Sequence, residues 1–91
     1  MKKPTKIERV LEEFVLGKKL NRFDAFALRD TCLHSTVSEL TQRHGLRFKR
    51  KTIQVYRQGD KVSVTLYWLD ETSLAEAKKL LLSMKKRRNA I

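Results

Sequence analysis

The sequence predicts one small α+β domain of three helices, a two-stranded hairpin and a C-terminal helix, and three observations predict it. Apolar residues recur at helical spacing in the first half of the chain and again near its end. Between Asn21 and Val55 two short amphipathic patterns are joined by a tight connection, and the second is closed by a glycine. Beyond that glycine two alternating runs flank Arg57-Gln58-Gly59-Asp60. That order describes a helix-turn-helix followed by a wing. At 91 residues the chain suits a single core, so residues 1–91 are taken as one domain.

Each element has its own signal. Thr5 and Glu8, behind Pro4, have the spacing of a capping box, and Ile7, Val10, Leu11 and Phe14 follow at helical intervals. This predicts a first helix from about Lys6 to Leu16, stopped by Gly17, with Lys18 and Lys19 near the negative end of its dipole. Asn21 caps a second helix, Arg22 to about Arg29, with Phe23, Phe26 and Ala27 inward. Ser35 is a natural N-cap for a third helix, Thr36 to His44, ended by Gly45. Val37, Leu40, Thr41 and His44 share the side expected to pack, and Ser35, Ser38, Glu39, Gln42 and Arg43 share the other.

The strands follow by alternation. Ile53 and Val55 alternate with Thr52, Gln54 and Tyr56, and Val62, Val64, Leu66 and Trp68 with Ser63, Thr65, Tyr67 and Leu69. A last helix starts within Asp70 to Ser73, with Ser73 and Glu76 at capping-box spacing and Leu74, Ala77, Leu81 and Met84 as its stripe. Its basic end, from about Lys85 through Arg88, is expected to fray. Leu80 and Leu82 widen the apolar face and suggest a homodimer through this helix.

Charge narrows the function. The net charge of +11 is uneven: residues 1–42 carry eight basic and six acidic side chains, residues 43–61 seven and one, residues 62–91 six and three. A positive field concentrated at the end of the third helix and around the hairpin attracts a polyanion, nucleic acid before an acidic membrane surface. No run of about 18 apolar residues is present to span a bilayer, and Met1-Lys2-Lys3 leads into a charged helix instead of a signal-peptide stretch, so a soluble, intracellular protein is expected. The single cysteine, Cys32, is expected to be a small buried residue beside Leu28 and Leu33. Cys32, His34 and His44 match no zinc spacing and lack a fourth ligand; no metal or cofactor is expected. No nucleophile, base and acid recur in a catalytic arrangement and no glycine loop cradles phosphate, so the chain is not expected to be an enzyme.

The residues that could bind DNA fall into two groups. Ser35, Thr36 and Ser38 are short enough to let a helix approach base edges; Gln42 can pair with adenine, Arg43 with guanine or a phosphate, and Glu39 with cytosine N4 unless it pairs with Arg43 instead. Arg47, Lys49, Arg50 and Lys51 after the helix, with Arg57 and Lys61 at the hairpin tip, suit phosphate neutralisation. Leu20 to Phe23, Cys32 to Thr36 and the later VTLYWL resemble the small winged helix-turn-helix proteins of bacteriophages and prophages, over about Lys6 to Leu69. The resemblance implies a DNA-binding role, often of unassigned purpose, on a winged-helix fold; a phage or prophage regulator of transcription, with double-stranded DNA as partner and the bacterial host cytoplasm as location, is the expectation. The late basic residue, Arg43, and a wing shorter than in many relatives depart from the family pattern. Three rivals remain: an excisionase-like architectural factor; RNA binding through Tyr56 and Tyr67; and a protein-interaction module using Trp68, Leu80 and Leu82.

Overall fold

Helix formation begins at Thr5, whose Oγ1 accepts the Glu8 N–H at 3.2 Å and so satisfies one of the first orphan donors of α1 (Lys6–Val15). The computed structural model describes residues 5–89, so Met1 to Pro4 lie outside the description. Gly17, at φ +87°, ends α1, and Lys18 pairs with Glu13 at 2.6 Å beside the terminus. Asn21 then caps α2 (Arg22–Ala27), and the Asp24 carboxylate accepts the Asn21 N–H at 2.9 Å in return. This reciprocal box holds a helix of only six residues. Its inward residue is Ala25; Phe26 and Ala27 are exposed and Phe23 half-buried, which corrects the expected face. A helix this short takes its orientation from its neighbours, not from periodicity.

The chain leaves α2 earlier than expected. Arg29 N–H donates to Phe26 O and Asp30 N–H to Ala25 O, both at 2.9 Å, with Arg29 left-handed at φ +64°. These are the two bonds of a Schellman ending, with arginine where glycine is commonest. Helix α3 (Leu33–His44) then starts three residues before the expected Thr36. Its first turn is held by Asp30, fully buried, which accepts the Cys32 N–H at 3.0 Å and the Thr36 hydroxyl at 2.6 Å. Ser35 is therefore inside the helix and caps nothing. Cys32 is exposed rather than buried, because its backbone serves the turn while its side chain faces outward. The buried stripe of α3 is Leu33, Thr36, Val37 and Leu40; Thr41 and His44, expected to pack, are exposed. Gly45, at φ +68°, terminates α3 as the sequence predicts.

The antiparallel hairpin comprises β1 (Phe48–Arg57) and β2 (Asp60–Leu69), joined by Gln58-Gly59 with both residues at positive φ. A two-residue turn of this hand matches the twist of the strands. β1 starts at Phe48, four residues before the expected alternation, so most of the basic run is strand. Leu20, between α1 and α2, pairs with Tyr67 through two backbone bonds of 2.8 Å and ties the first half of the chain to β2.

Two apolar clusters meet at the base of the hairpin. One joins Val10, Phe14, Leu20, Ala25, Leu33, Val37 and Tyr67; the other joins Leu11, Leu40, Leu46, Ala77 and Leu81. Phe48 and Leu69, partners in the first rung of the ladder, pack against both. Phe48 also meets Phe14 edge to face at 4.9 Å. Burial of each large aliphatic here contributes about 1.5–3 kcal/mol.

After β2, Asp70 caps a 3-10 turn (Glu71–Ser73) by accepting the Thr72 N–H at 3.1 Å, and α4 (Leu74–Asn89) follows. Ser73 does not form the expected capping box with Glu76. Its buried hydroxyl accepts the Arg47 N–H at 2.8 Å and fastens the start of the hairpin to the start of α4. Ala77 and Leu81 pack against α1, with Leu80 and Met84 beside them, while Leu74 stays exposed. The helix continues through Lys85 to Asn89, where fraying was expected, and Lys85 reaches Glu12 of α1 at 3.7 Å. Leu80 is half-buried and packs against the core, leaving Leu82, 60% exposed, as the free member of the leucine pair. No helix among the described residues is long and apolar enough to cross a membrane.

Candidate nucleic-acid interface

Helix α3 and the hairpin leave an open trough between them. At one end, Ser38, Thr41 and Gln42 of α3 face Arg50 of β1, with Tyr67 as the floor. His34 also lines this end and continues into a second hollow with Arg22, Thr31, Thr52, Ser63 and Thr65. The walls carry hydroxyl, amide, imidazole and guanidinium groups, with the apolar side chains of Leu33, Val37 and Val64 between them. Tyr67 itself is 8% exposed and lies beneath the Arg50 guanidinium, 5.6 Å from the ring centroid.

The anchoring of α3 explains which of its residues can act. Asp30 fixes the first turn and Leu33, Val37 and Leu40 fix the inner face, so Ser35, Ser38, Gln42 and Arg43 stand in solvent. Thr36 cannot serve as a contact residue: it is 4% exposed, and its hydroxyl is spent on Asp30. Glu39 pairs with Arg43 at 3.9 Å, the i,i+4 alternative to a role in reading bases. Ser38 and Gln42, one turn apart, are with Thr41 and His34 the polar groups that α3 presents to the trough.

The hairpin sorts the cations by strand parity. Successive residues of a strand project to opposite faces, and residues paired across the ladder share one. Arg50 pairs with Tyr67 on the α3 side, and Tyr56 with Lys61 follow on the same parity. Lys49 pairs with Trp68, Lys51 with Leu66 and Arg57 with Asp60, all on the opposite parity. The contiguous basic run of the sequence is therefore two surfaces. Arg57 lies over the Phe23 ring at 4.3 Å, and Arg22 lies near the same ring at 5.0 Å, so Phe23 is flanked by two guanidinium groups. Lys61 stacks near Tyr56 at 5.8 Å. Arg47, at the mouth of β1, is held through its backbone by Ser73 and Asp70. The Asp70 carboxyl is held below the usual carboxylate range, first by the Thr72 N–H and then by the Thr72 hydroxyl and the charges of Lys49 and Arg47.

His34, Arg22 and the threonines and serine of the strands were not singled out by sequence. His34 becomes visible once Asp30 is recognised as the acceptor that starts α3 early. Of the two aromatics considered for RNA stacking, Tyr67 is buried and Tyr56 is 71% exposed. Among the described residues no three His, Cys, Asp or Glu side chains gather as metal ligands would. Comparison with known proteins gives no match to any family, curated protein or solved structure.

Proposed function

We propose that the chain is a winged-helix domain that binds double-stranded DNA without catalysing a reaction, with α3 as the recognition helix and the hairpin as the wing. The observation that carries this reading is the trough itself: Ser38 and Gln42 of α3 and Arg50 of β1 line one open groove in a chain of net charge +11. Short polar groups on an exposed helix face suit base edges in the major groove, and an adjacent guanidinium suits the flanking phosphates. The Leu20–Tyr67 bridge supports the same reading, because it fixes the hairpin relative to the helices that would enter the groove. Regulation of transcription, as in the phage proteins the sequence resembles, is the role we assign. Burial of Tyr67 weighs against RNA stacking on the sheet.

Selection of bound fragments from a random duplex library at fixed salt tests the proposal. A consensus sequence is expected, and the affinity for it should fall with salt at a log–log slope of about minus three to four. That slope corresponds to Arg22, Arg43, Arg50 and Lys61 meeting phosphates at about 0.9 per contact. No consensus, together with a slope flatter than about minus two, would remove the trough from the interface.

A further inference from the structure

The back of the hairpin has no part in the one-duplex reading, yet it is the more basic of the two faces near the base of the ladder. Lys49 and Lys51 are exposed and project away from the α3 trough, beside Trp68 and Leu66. Lys19, from the connection between α1 and α2, adds its ammonium group 4.8 Å from the centroid of the Trp68 ring. Lys19 and Lys49 thus flank a half-buried tryptophan, Lys51 follows on the same face, and Asp70 is the neighbouring carboxylate. Duplex DNA is stiff over the length of such a domain, and a straight duplex lying along α3 meets the Arg50 face of the hairpin, with Lys49 and Lys51 on the other. When the trough is filled, these three charges are offset only in part by Asp70, and the matching polyanion is a further stretch of phosphate backbone.

We propose that Lys19, Lys49, Lys51 and Trp68 form a second duplex-binding surface, so that one copy of the chain holds two DNA segments together. The proposal rests on the reading of the α3 trough as the first duplex site. Lysines act as point charges, so the second site takes backbone of any sequence.

Trp68 is the single tryptophan of the chain, and its emission reports this face alone. The experiment titrates the full chain with a short duplex carrying the selected site, then with an unrelated duplex. In parallel it measures retention of labelled unrelated duplex on beads bearing the selected one. Trp68 emission should change little up to one equivalent and then shift in a second, weaker and salt-sensitive phase, with labelled duplex retained only when the protein is present. The Lys49→Ala/Lys51→Ala variant should lose the second phase and the retention while keeping its first-duplex affinity within about twofold, since two phosphate contacts of the second site are removed and none of the first. An emission change complete at the first equivalent, or a first-duplex loss as large as that of Arg50→Ala, would mean that one duplex grips both faces and would overturn the proposal. No second phase and no retention would also overturn it while leaving the trough reading intact. Retention that persists in the double variant would assign bridging to pairing of copies instead. Failure to bind any duplex would remove the trough reading and this proposal with it.

Discussion

The seam between α1 and α4 and the trough between α3 and the hairpin are both junctions between neighbouring elements, yet one is closed and the other open. Leu11, Leu40, Leu46, Ala77 and Leu81 fill the first, each 8% exposed or less. The second is walled by His34, Ser38, Gln42, Arg50, Thr52 and Thr65 with Leu33, Val37 and Val64 among them, and closing it would bury those polar groups without partners. Helix α3 belongs to both regions, with Leu40 on its inner face and Ser38 on its outer. A closed junction contributes stability; an open polar one between rigid walls is available to a ligand.

Mutations should separate the two regions cleanly. The largest effect is expected from Leu40→Ala, which empties a fully buried site and should cost about 2 to 5 kcal/mol in thermal or denaturant melts. Ser38→Ala, two residues away, should stay within about 0.5 kcal/mol. The reverse order would mean that α3 is turned about its axis. Next comes Asp30→Ala, which leaves the Cys32 N–H without its acceptor and the buried Thr36 hydroxyl with only its 3.4 Å bond to the Cys32 carbonyl, and removes the partner of Lys6 at 3.8 Å. A loss of about 1 to 3 kcal/mol is expected, together with weaker duplex binding as α3 loosens. Full stability in Asp30→Ala would show that the apolar stripe alone orients the helix. The smallest effect concerns the outer wall: Gln58, left-handed at φ +54°, is better replaced by asparagine in this turn. Gln58→Asn should raise the melting free energy by about 0.5 kcal/mol with duplex affinity unchanged. A change in affinity would instead place the turn itself on the DNA.

Much of this division was legible in the residues. Thr5, Asn21 and Gly45 mark helix ends where the structure has them, and Gln58-Gly59 makes the turn, because capping and turn chemistry are local. The face of α2 was not legible, since six residues give too little periodicity to outvote tertiary contacts, and Phe26 ended up in solvent. Ser35 looked like the cap of α3 because serine commonly is one. No side chain caps α3; Asp30 instead holds the N–H of its N-cap residue, Cys32, and the Thr36 hydroxyl, which goes with the earlier helix start and draws Thr36 inward. For the basic run, charge density was visible but strand parity was not until β1 was known to begin at Phe48. One added residue of register would exchange Arg50 for Lys49 and Lys51 on the trough side.

The claim that α3 reads sequence while the hairpin holds backbone is tested most directly by measuring, for Gln42→Ala and Arg50→Ala, affinity on the selected duplex and on a scrambled one across a range of salt. Gln42 carries no charge, so its loss should cost about 1 to 3 kcal/mol on the selected duplex alone and leave the salt slope unchanged. Arg50→Ala should weaken both duplexes alike and flatten the slope by about one. Equal losses on both duplexes from Gln42→Ala would contradict the account and reduce the trough to a basic surface without a reading head.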